Sequence, residues 1–159
     1  MKKCLSVFLV GIMVFTMIFT TAPRGISASE ISELYYGSGP IRSMTTRKDG
    51  VVIGGRSSGH AIEVWSSSNK GTSWSRIGTV ASNDNINYGD VMFLAVPQTD
   101  TIFCAFREKN ASNQYAVVIC RSDNGGYDWV YDSTVIAGCS QFVGAPWLFI
   151  AQNGDLQCY

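Results

Sequence analysis

Two residue types in this chain could do chemistry together, carboxylates and arginines set at the edges of short apolar runs. The carboxylates are Asp84, Asp90 and Glu108, and the arginines are Arg42, Arg56 and Arg107. A protonated carboxylic acid beside an ionised carboxylate supplies both a proton donor and a nucleophile or base. An arginine offers paired donors that orient a carboxylate or neighbouring hydroxyls. Asp90 is the best placed of the acids, because it follows Tyr88-Gly89 and opens the apolar run that ends at Val96. Each residue also has a plainer reading. Asp90 could be a turn residue, Asp84 a solvated loop carboxylate, and Glu108 the ion-pair partner of Lys109 or Arg107. The arginines could be solvated strand ends. His60 is the only histidine, and no cysteine pair has metal-ligand spacing, so neither a metal nor a cofactor is expected.

The elements that must hold these residues are short strands. Ile41 to Thr46, Asp90 to Val96 and Pro146 to Ala151 are runs that each end in a polar turn: Arg47-Lys48-Asp49-Gly50, Pro97-Gln98-Thr99-Asp100 and Gln152-Asn153-Gly154-Asp155. A second run follows each turn, at Val51 to Gly55, Thr101 to Phe106 and Leu156 to Tyr159. Then come Ala61 to Trp65 and Ala116 to Cys120. They lead into Ser67-Ser68-Asn69-Lys70-Gly71-Thr72-Ser73-Trp74 and Ser122-Asp123-Asn124-Gly125-Gly126-Tyr127-Asp128-Trp129. Both copies read Ser-x-Asn-x-Gly-x-x-Trp. The short polar side chains can bond backbone N–H groups of their own turn, Gly supplies a positive φ, and Trp can pack on neighbouring strands.

Regular strands with turn signals between them predict an all-β repeat of four strands per unit, the blade of a β-propeller. The expected blades are 34–81 and 88–137, with an incomplete third over 145–159. Loops 35–42, 56–60, 82–90, 107–115 and 137–145 would form the rim at one end. Arg56 and Arg107 are expected at matching places in successive blades, just after the second strand. With about two blades and the start of a third, the chain is expected to be a fragment that lacks the remaining blades.

The first residues point to export. Lys2 and Lys3 precede an apolar run from Cys4 to Ala22, and small residues follow Pro23. This pattern predicts a signal peptide over 1–28, cleaved after Ala28, with an uncleaved membrane anchor as the rival. The remainder, 29–159, is one domain. Its 12 acidic residues outnumber its basic ones, since Lys2, Lys3 and Arg24 leave with the signal. No basic cluster favours nucleic acid, and no stable membrane association is expected after cleavage. Cys104, Cys120, Cys139 and Cys158 could oxidise in an exported protein. Small core residues and a Cys104–Cys120 cross-strand bridge are both open. Asn110-Ala111-Ser112 is a glycosylation sequon by pattern.

The two motifs resemble the Asp box (BNR repeat) of the sialidase superfamily, with Ser67, Asn69, Gly71 and Trp74 in one copy and Ser122, Asn124, Gly126 and Trp129 in the other. Asn stands in both where the family usually has Asp. A narrower resemblance, carried by 61–67, 104–107 and 154–159, is to glycosyl hydrolases of the exo-arabinanase type. It implies a six-bladed propeller, a carbohydrate substrate or ligand at the end of a central channel, and Asp boxes on the face away from it. Glycosidases of this kind need two carboxylates, and the resemblance nominates Asp90 and Glu108 as catalytic and Arg42, Arg56 and Arg107 as substrate-binding. Two departures stand out. Gly59-His60-Ala61 fills the stretch where sialidases carry a catalytic Asp. Ala145 stands where arabinanase-like relatives carry Glu before Pro. Catalysis by this chain alone is therefore not expected, and a non-catalytic carbohydrate-binding propeller or a truncated remnant is the alternative.

Overall fold

A computed structural model describes residues 35–36, 39–141 and 143–159 of the 159. The expected signal peptide lies outside the described residues. The chain is all-β, a partial β-propeller of two complete blades and the first half of a third. A two-residue ladder, β1 (Tyr35–Tyr36) with β2 (Gly39–Pro40), precedes the blades. The first blade is β3 (Ser43–Thr46), β4 (Val52–Ser57), β5 (Ala61–Ser67) and β6 (Ser75–Ser82). The second is β7 (Ile86–Ala95), β8 (Ile102–Asn110), β9 (Tyr115–Ser122) and β10 (Val130–Cys139). β11 (Leu148–Ile150) and β12 (Leu156–Cys158) open the third. Every pairing within the blades is antiparallel and between consecutive strands.

The hairpins set the register. Val51, Thr101 and Asp155 accept from the amides of Arg47, Val96 and Ala151 at 2.9 Å each, so the three turns close alike, the first and third matching in length and the second one residue longer. Gly50 closes the first with φ 83 and Gly154 the third with φ 90, a region that costs glycine little. The inner strands β3, β7 and β11 do not pair with one another, so their outward amides need other acceptors. Ser43 and Thr45 hydroxyls accept from the amides of Phe93 and Ala95 at 2.9 and 3.0 Å. At the next blade boundary the Met92 sulfur takes the Ser43 role and accepts from the Leu148 amide at 3.1 Å.

The core lies between blades. Ile53, Ile62 and Val64 of the first blade meet Phe93, Ile102, Cys104, Phe106, Val118 and Cys120 of the second. A smaller cluster of Ala105, Ile119 and Leu148, flanked by Met92, Leu94 and Phe103, joins the second blade to the third. Each fully buried aliphatic or aromatic side chain contributes roughly 1.5–3 kcal/mol, so the first boundary holds most of the stability. Gly55 makes it possible, since a Cβ there would lie 1.8 Å from the Phe93 ring.

The second blade corrects the expected loops. The sequence predicts rim loops over 82–90 and 107–115, yet β7 begins at Ile86 and β8 runs to Asn110, paired as Ile86↔Asn110 through Gly89↔Arg107. Polar side chains at Asn87, Arg107 and Lys109 hide the strand pattern, but main-chain pairing does not depend on them. Likewise β10 extends to Cys139, inside the segment expected as loop. Cys104 and Cys120 lie directly opposite each other on β8 and β9, both buried free thiols. Burial, helped by the neighbouring Cys120, pushes the Cys104 thiol far up. Burial, with Glu108 and Asp132 nearby, pushes Cys120 up to about 11. Thiols held so firmly protonated are poor nucleophiles.

Candidate functional site

The nominated residues sort by sheet end. The inner-strand starts, with the β8–β9 turn, define one end of each blade. The two Ser-x-Asn-x-Gly-x-x-Trp turns join β5 to β6 and β9 to β10, at the other end. Asp90 sits at the first end, in a bulge where the register steps from Gly89↔Arg107 to Met92↔Ala105. Asp90 and Val91 together oppose Phe106. Asp90 has φ 47, a left-handed conformation uncommon outside glycine and enriched for Asp and Asn. The bulge re-aims its side chain toward Arg107, whose Nη2 lies 2.7 Å from Asp90 Oδ2.

Three further groups fix Arg107. Its Nη1 donates to the Val143 carbonyl at 3.2 Å, tying the second blade to the segment entering the third. Its Cζ lies 5.7 Å from the centre of the Tyr115 ring, which Lys109 also approaches at 5.5 Å. Gly89 leaves it room, for a Cβ there would stand 3.0 Å from Nη2. The pair is half-buried, with side-chain exposures of 18% for Arg107 and 31% for Asp90. It therefore keeps contact with solvent while holding a fixed geometry. Its chemical repertoire is an anionic acceptor, a forked donor and an aromatic face within one corner. Of these, sequence reasoning found Asp90 and Arg107 and missed Gly89, Tyr115 and Val143. Only Tyr115, an aromatic next to a hairpin, left any signal.

Arg56 is not the counterpart of Arg107. Val52 pairs with Ser67 and Ile102 with Ser122, so counting from these two serines places Ser57 opposite Ile62 as Arg107 is opposite Val117. Arg56 matches Phe106 instead. A one-residue slip turns a side chain to the other face of the sheet. Arg56 is nearly buried and pairs with Glu63, Nε to Oε2 at 2.6 Å. Its Cζ lies 4.9 Å from the Trp65 ring centre, and Trp65 Nε1 donates to Glu63 at 3.3 Å. Burial pushes the Glu63 carboxyl up, but hydrogen bonds from Arg56 and Trp65, with the charges of Arg56 and Arg76, outweigh it and hold the group below its ordinary range. This is a cross-strand clamp on the face of the first blade turned away from the second.

Glu108 does not pair with Arg107 or Lys109. As neighbours on β8, Arg107 and Glu108 point to opposite faces. Glu108 lines a cavity of 210 Å³ with Asn110, Gln114, Thr134 and Gly138, and Tyr115, which Arg107 approaches from the other corner, also lines it. Burial raises its carboxyl above the ordinary glutamate value. Asp90 and Glu108 therefore do not form one acid–base pair. Arg42 is exposed, and its amide donates to the Gly55 carbonyl at 2.9 Å. The His60 ring Nδ1 lies 2.9 Å from the Ile86 carbonyl, and the Gly59 carbonyl accepts from the Tyr88 amide at 2.7 Å, so that loop pins the blades together. Asp84 is exposed in a turn. Counting back from the inner-strand ends at Thr46, Ala95 and Ile150, Asp90 corresponds to Ile41 in the first blade and Ala145 in the third. No group of three His, Cys, Asp or Glu able to hold a metal occurs among the described residues.

The Ser-x-Asn-x-Gly-x-x-Trp residues close their turns with a repeated set of hydrogen bonds. Ser67 Oγ accepts from the Gly71 amide at 2.8 Å and donates to Asn69 Oδ1 at 2.9 Å. Asn69 Oδ1 accepts from the Ser73 amide at 2.9 Å, and Trp74 Nε1 donates to the Gly71 carbonyl at 3.0 Å. Ser122, Asn124, Gly126, Asp128 and Trp129 repeat every one of these bonds. Asn serves in place of Asp because its amide also donates, to Ser73 Oγ at 2.9 Å and to Asp128 Oδ2 at 2.7 Å.

No family model matches the chain, and no curated protein matches it. Among solved structures, the chain is similar to an α-L-arabinofuranosidase from Fusarium graminearum in complex with an iminosugar inhibitor. The TM-score is 0.60 and the identity 16%. A point mutant of the same enzyme, also with an iminosugar inhibitor, matches with the same TM-score and identity. The likeness covers 69% of this chain and 37% of that one, so the chain spans well under half the length of the protein it resembles. At this identity the likeness establishes a shared fold.

Proposed function

We propose that the chain is the sugar-orienting part of a secreted glycoside hydrolase of propeller type, exo-acting on a polysaccharide or glycan. The observation that carries this reading is the Asp90–Arg107 pair, held at 2.7 Å beside Tyr115 at the open end of the inner strand. Vicinal sugar hydroxyls fit a forked donor next to a carboxylate acceptor, and the apolar face of a sugar ring fits an aromatic side chain. The similar solved enzyme is named for α-L-arabinofuranosides, which makes arabinose-containing oligosaccharides the first ligands to try.

Hydrolysis requires a second carboxylate facing the first. Glu108 points to the other face of β8, and Ala145 stands at the place that matches Asp90. In this reading the missing acid comes from outside the described residues, and the chain alone binds without turnover. The same two facts favour a second reading, a non-catalytic carbohydrate-binding propeller.

Calorimetric titration with arabino-oligosaccharides, together with release of the aryl group from an aryl α-L-arabinofuranoside, tests the proposal. Saturable binding that Asp90→Asn weakens about tenfold or more, with no turnover, is the expected result. Binding unchanged in Asp90→Asn, or no binding to any oligosaccharide, would contradict it. Only turnover by a longer form carrying further blades would separate the hydrolase from the binding module.

A further inference from the structure

Glu108 carries acceptor oxygens that the chain itself does not use. Its carboxylate has no hydrogen-bond or ion-pair partner among the described residues, whereas Asp90 and Glu63 are each held by an arginine. Phe106 of the same strand packs into the core between the first two blades. Glu108 lies two residues on and therefore faces the first blade as well.

A bulge opens the cavity beside it. β10 slips against β9 between Tyr131 and Ser133, between Thr134 and Ile136, and between Ile136 and Cys139. Counted from Ser67 and Ser122, the first two steps match the two by which β6 slips against β5. The third belongs to the second blade alone, for at that place the first blade runs Ile62↔Ala81 and Ala61↔Ser82 without a step. Gly138 lies in this third bulge at φ 67, a conformation that favours glycine, and with Ala137 it walls the cavity. Bulges of this kind commonly bend a strand away beside a site.

The lining holds one negative charge and no positive one. Asn110 is already engaged: its Oδ1 accepts from the amides of Ser112 and Gln114 at 3.0 Å each, and its Nδ2 donates to Gln114 Oε1 at 3.1 Å. Gln114 Nε2 is left as a donor to spare. The surrounding charge has the same sign as Glu108. Burial and then Glu108 push the Tyr88 phenol of β7 up, and burial, Glu108 and Asp132 of β10 push the Cys120 thiol of β9 up to about 11. One carboxylate matches a single positive charge, and no second acid stands with it in the lining to hold a divalent ion. At 210 Å³ the cavity is smaller than the ~300 Å³ at which sites for drug-sized ligands begin, so its occupant has one ring or a short chain.

We propose that this cavity binds a small organic cation, with one primary ammonium group donating to Glu108 and a hydroxyl of the same ligand accepting from Gln114 Nε2. Charge-assisted hydrogen bonds of this kind are about twice as strong as neutral ones, so the ammonium decides the selectivity. The inference stands apart from the carbohydrate reading, which rests on Asp90 and Arg107.

Calorimetric titration of the full chain with glucosamine, and with glucose as its uncharged match, tests the proposal. Glucosamine is expected to bind saturably, and glucose about tenfold more weakly or less. Glu108→Gln, which keeps the shape and removes the charge, should weaken glucosamine binding about tenfold or more. Ala137→Leu should do the same by filling the cavity from an exposed position that folding does not depend on. Excess arabino-oligosaccharide should not displace the amine. Binding should also loosen as pH falls through the raised Glu108 value, because the protonated carboxyl no longer balances the ammonium. Equal binding of glucose, no binding of glucosamine, or full affinity in Glu108→Gln would overturn the proposal. Displacement by arabino-oligosaccharide would assign the amine to the Asp90–Arg107 corner and overturn it too.

Discussion

The two complete blades share one local motif and differ in nearly everything that surrounds it. Their Ser-x-Asn-x-Gly-x-x-Trp boxes form the same hydrogen bonds within 0.1 Å at each matched Ser–Asn, Ser–Gly, Asn-amide and Trp–Gly contact. Yet the first box has an exposed turn, whereas Gly125 and Gly126 of the second are buried against the first blade. There Gly125 donates to the Asp100 carbonyl at 2.9 Å and accepts from Arg47 at 3.3 Å. The strand positions that precede the boxes diverge further. Gly55 corresponds to Ala105, Arg56 to Phe106 and Ser57 to Arg107. Local hydrogen bonding fixes the turn, and the neighbouring blade decides what each strand position can hold.

Substitutions at matched positions break this comparison. Trp74 is nearly buried, so Trp74→Ala is expected to lose ~3–5 kcal/mol by denaturant unfolding. Trp129 sits edge-on to Phe93 at 5.5 Å but keeps more solvent contact, so Trp129→Ala should fall at or below the low end of that range. Equal losses would mean that the two rings are equally packed.

Gly55→Ala should cost ~1–3 kcal/mol because its methyl would overlap the Phe93 ring, whereas Ala105→Gly should cost about 1 kcal/mol or less. Ser67→Ala and Ser122→Ala should each cost ~1–3 kcal/mol and by similar amounts, since each leaves the same glycine amide without its acceptor. A large difference between the serines would show that the boxes are not energetically equivalent.

The smallest effect is the most diagnostic, because the glutamates of the two blades should titrate in opposite senses. Glu63 is held below its ordinary range, so its contribution is present above the unfolded value and is lost as pH falls through the folded one. Burial raises Glu108, so the folded state binds the proton more tightly. Stability then declines as pH climbs from the ordinary glutamate value through the raised one. Glu63→Gln should remove the acid-side loss and Glu108→Gln the decline on the alkaline side of the glutamate value. Melting temperature against pH for both variants reads the signs directly.

The repeat was legible because its signals are local. Asn/Gly turns, the tryptophans and the spacing of Ser67 and Ser122 all act within a few residues, and they gave the blade order and nearly all strand positions. The site was only half legible. Asp90 is marked by Tyr88-Gly89 and the apolar run after it, but its bulge depends on pairing with β8, which the sequence of β7 does not encode alone. Arg56 and Arg107 look alike in sequence because each follows a second strand. One residue of register puts them on opposite faces, and only the serine-anchored ladders reveal it. Glu63 drew no notice, since its partner is set by cross-strand pairing. The extended β7 and β8 were hidden by polar residues that lie in strands all the same.

The most direct test of the account compares the two arginines by ligand binding and unfolding in the same experiment. Arg107→Lys, which loses the fork but keeps the charge, should weaken arabino-oligosaccharide binding about tenfold with little change in stability. Arg56→Lys should leave binding unchanged and lower stability by disturbing the buried clamp on Glu63. Equal loss of binding in both variants, or loss in Arg56→Lys alone, would contradict the assignment of the Asp90–Arg107 corner as the carbohydrate contact.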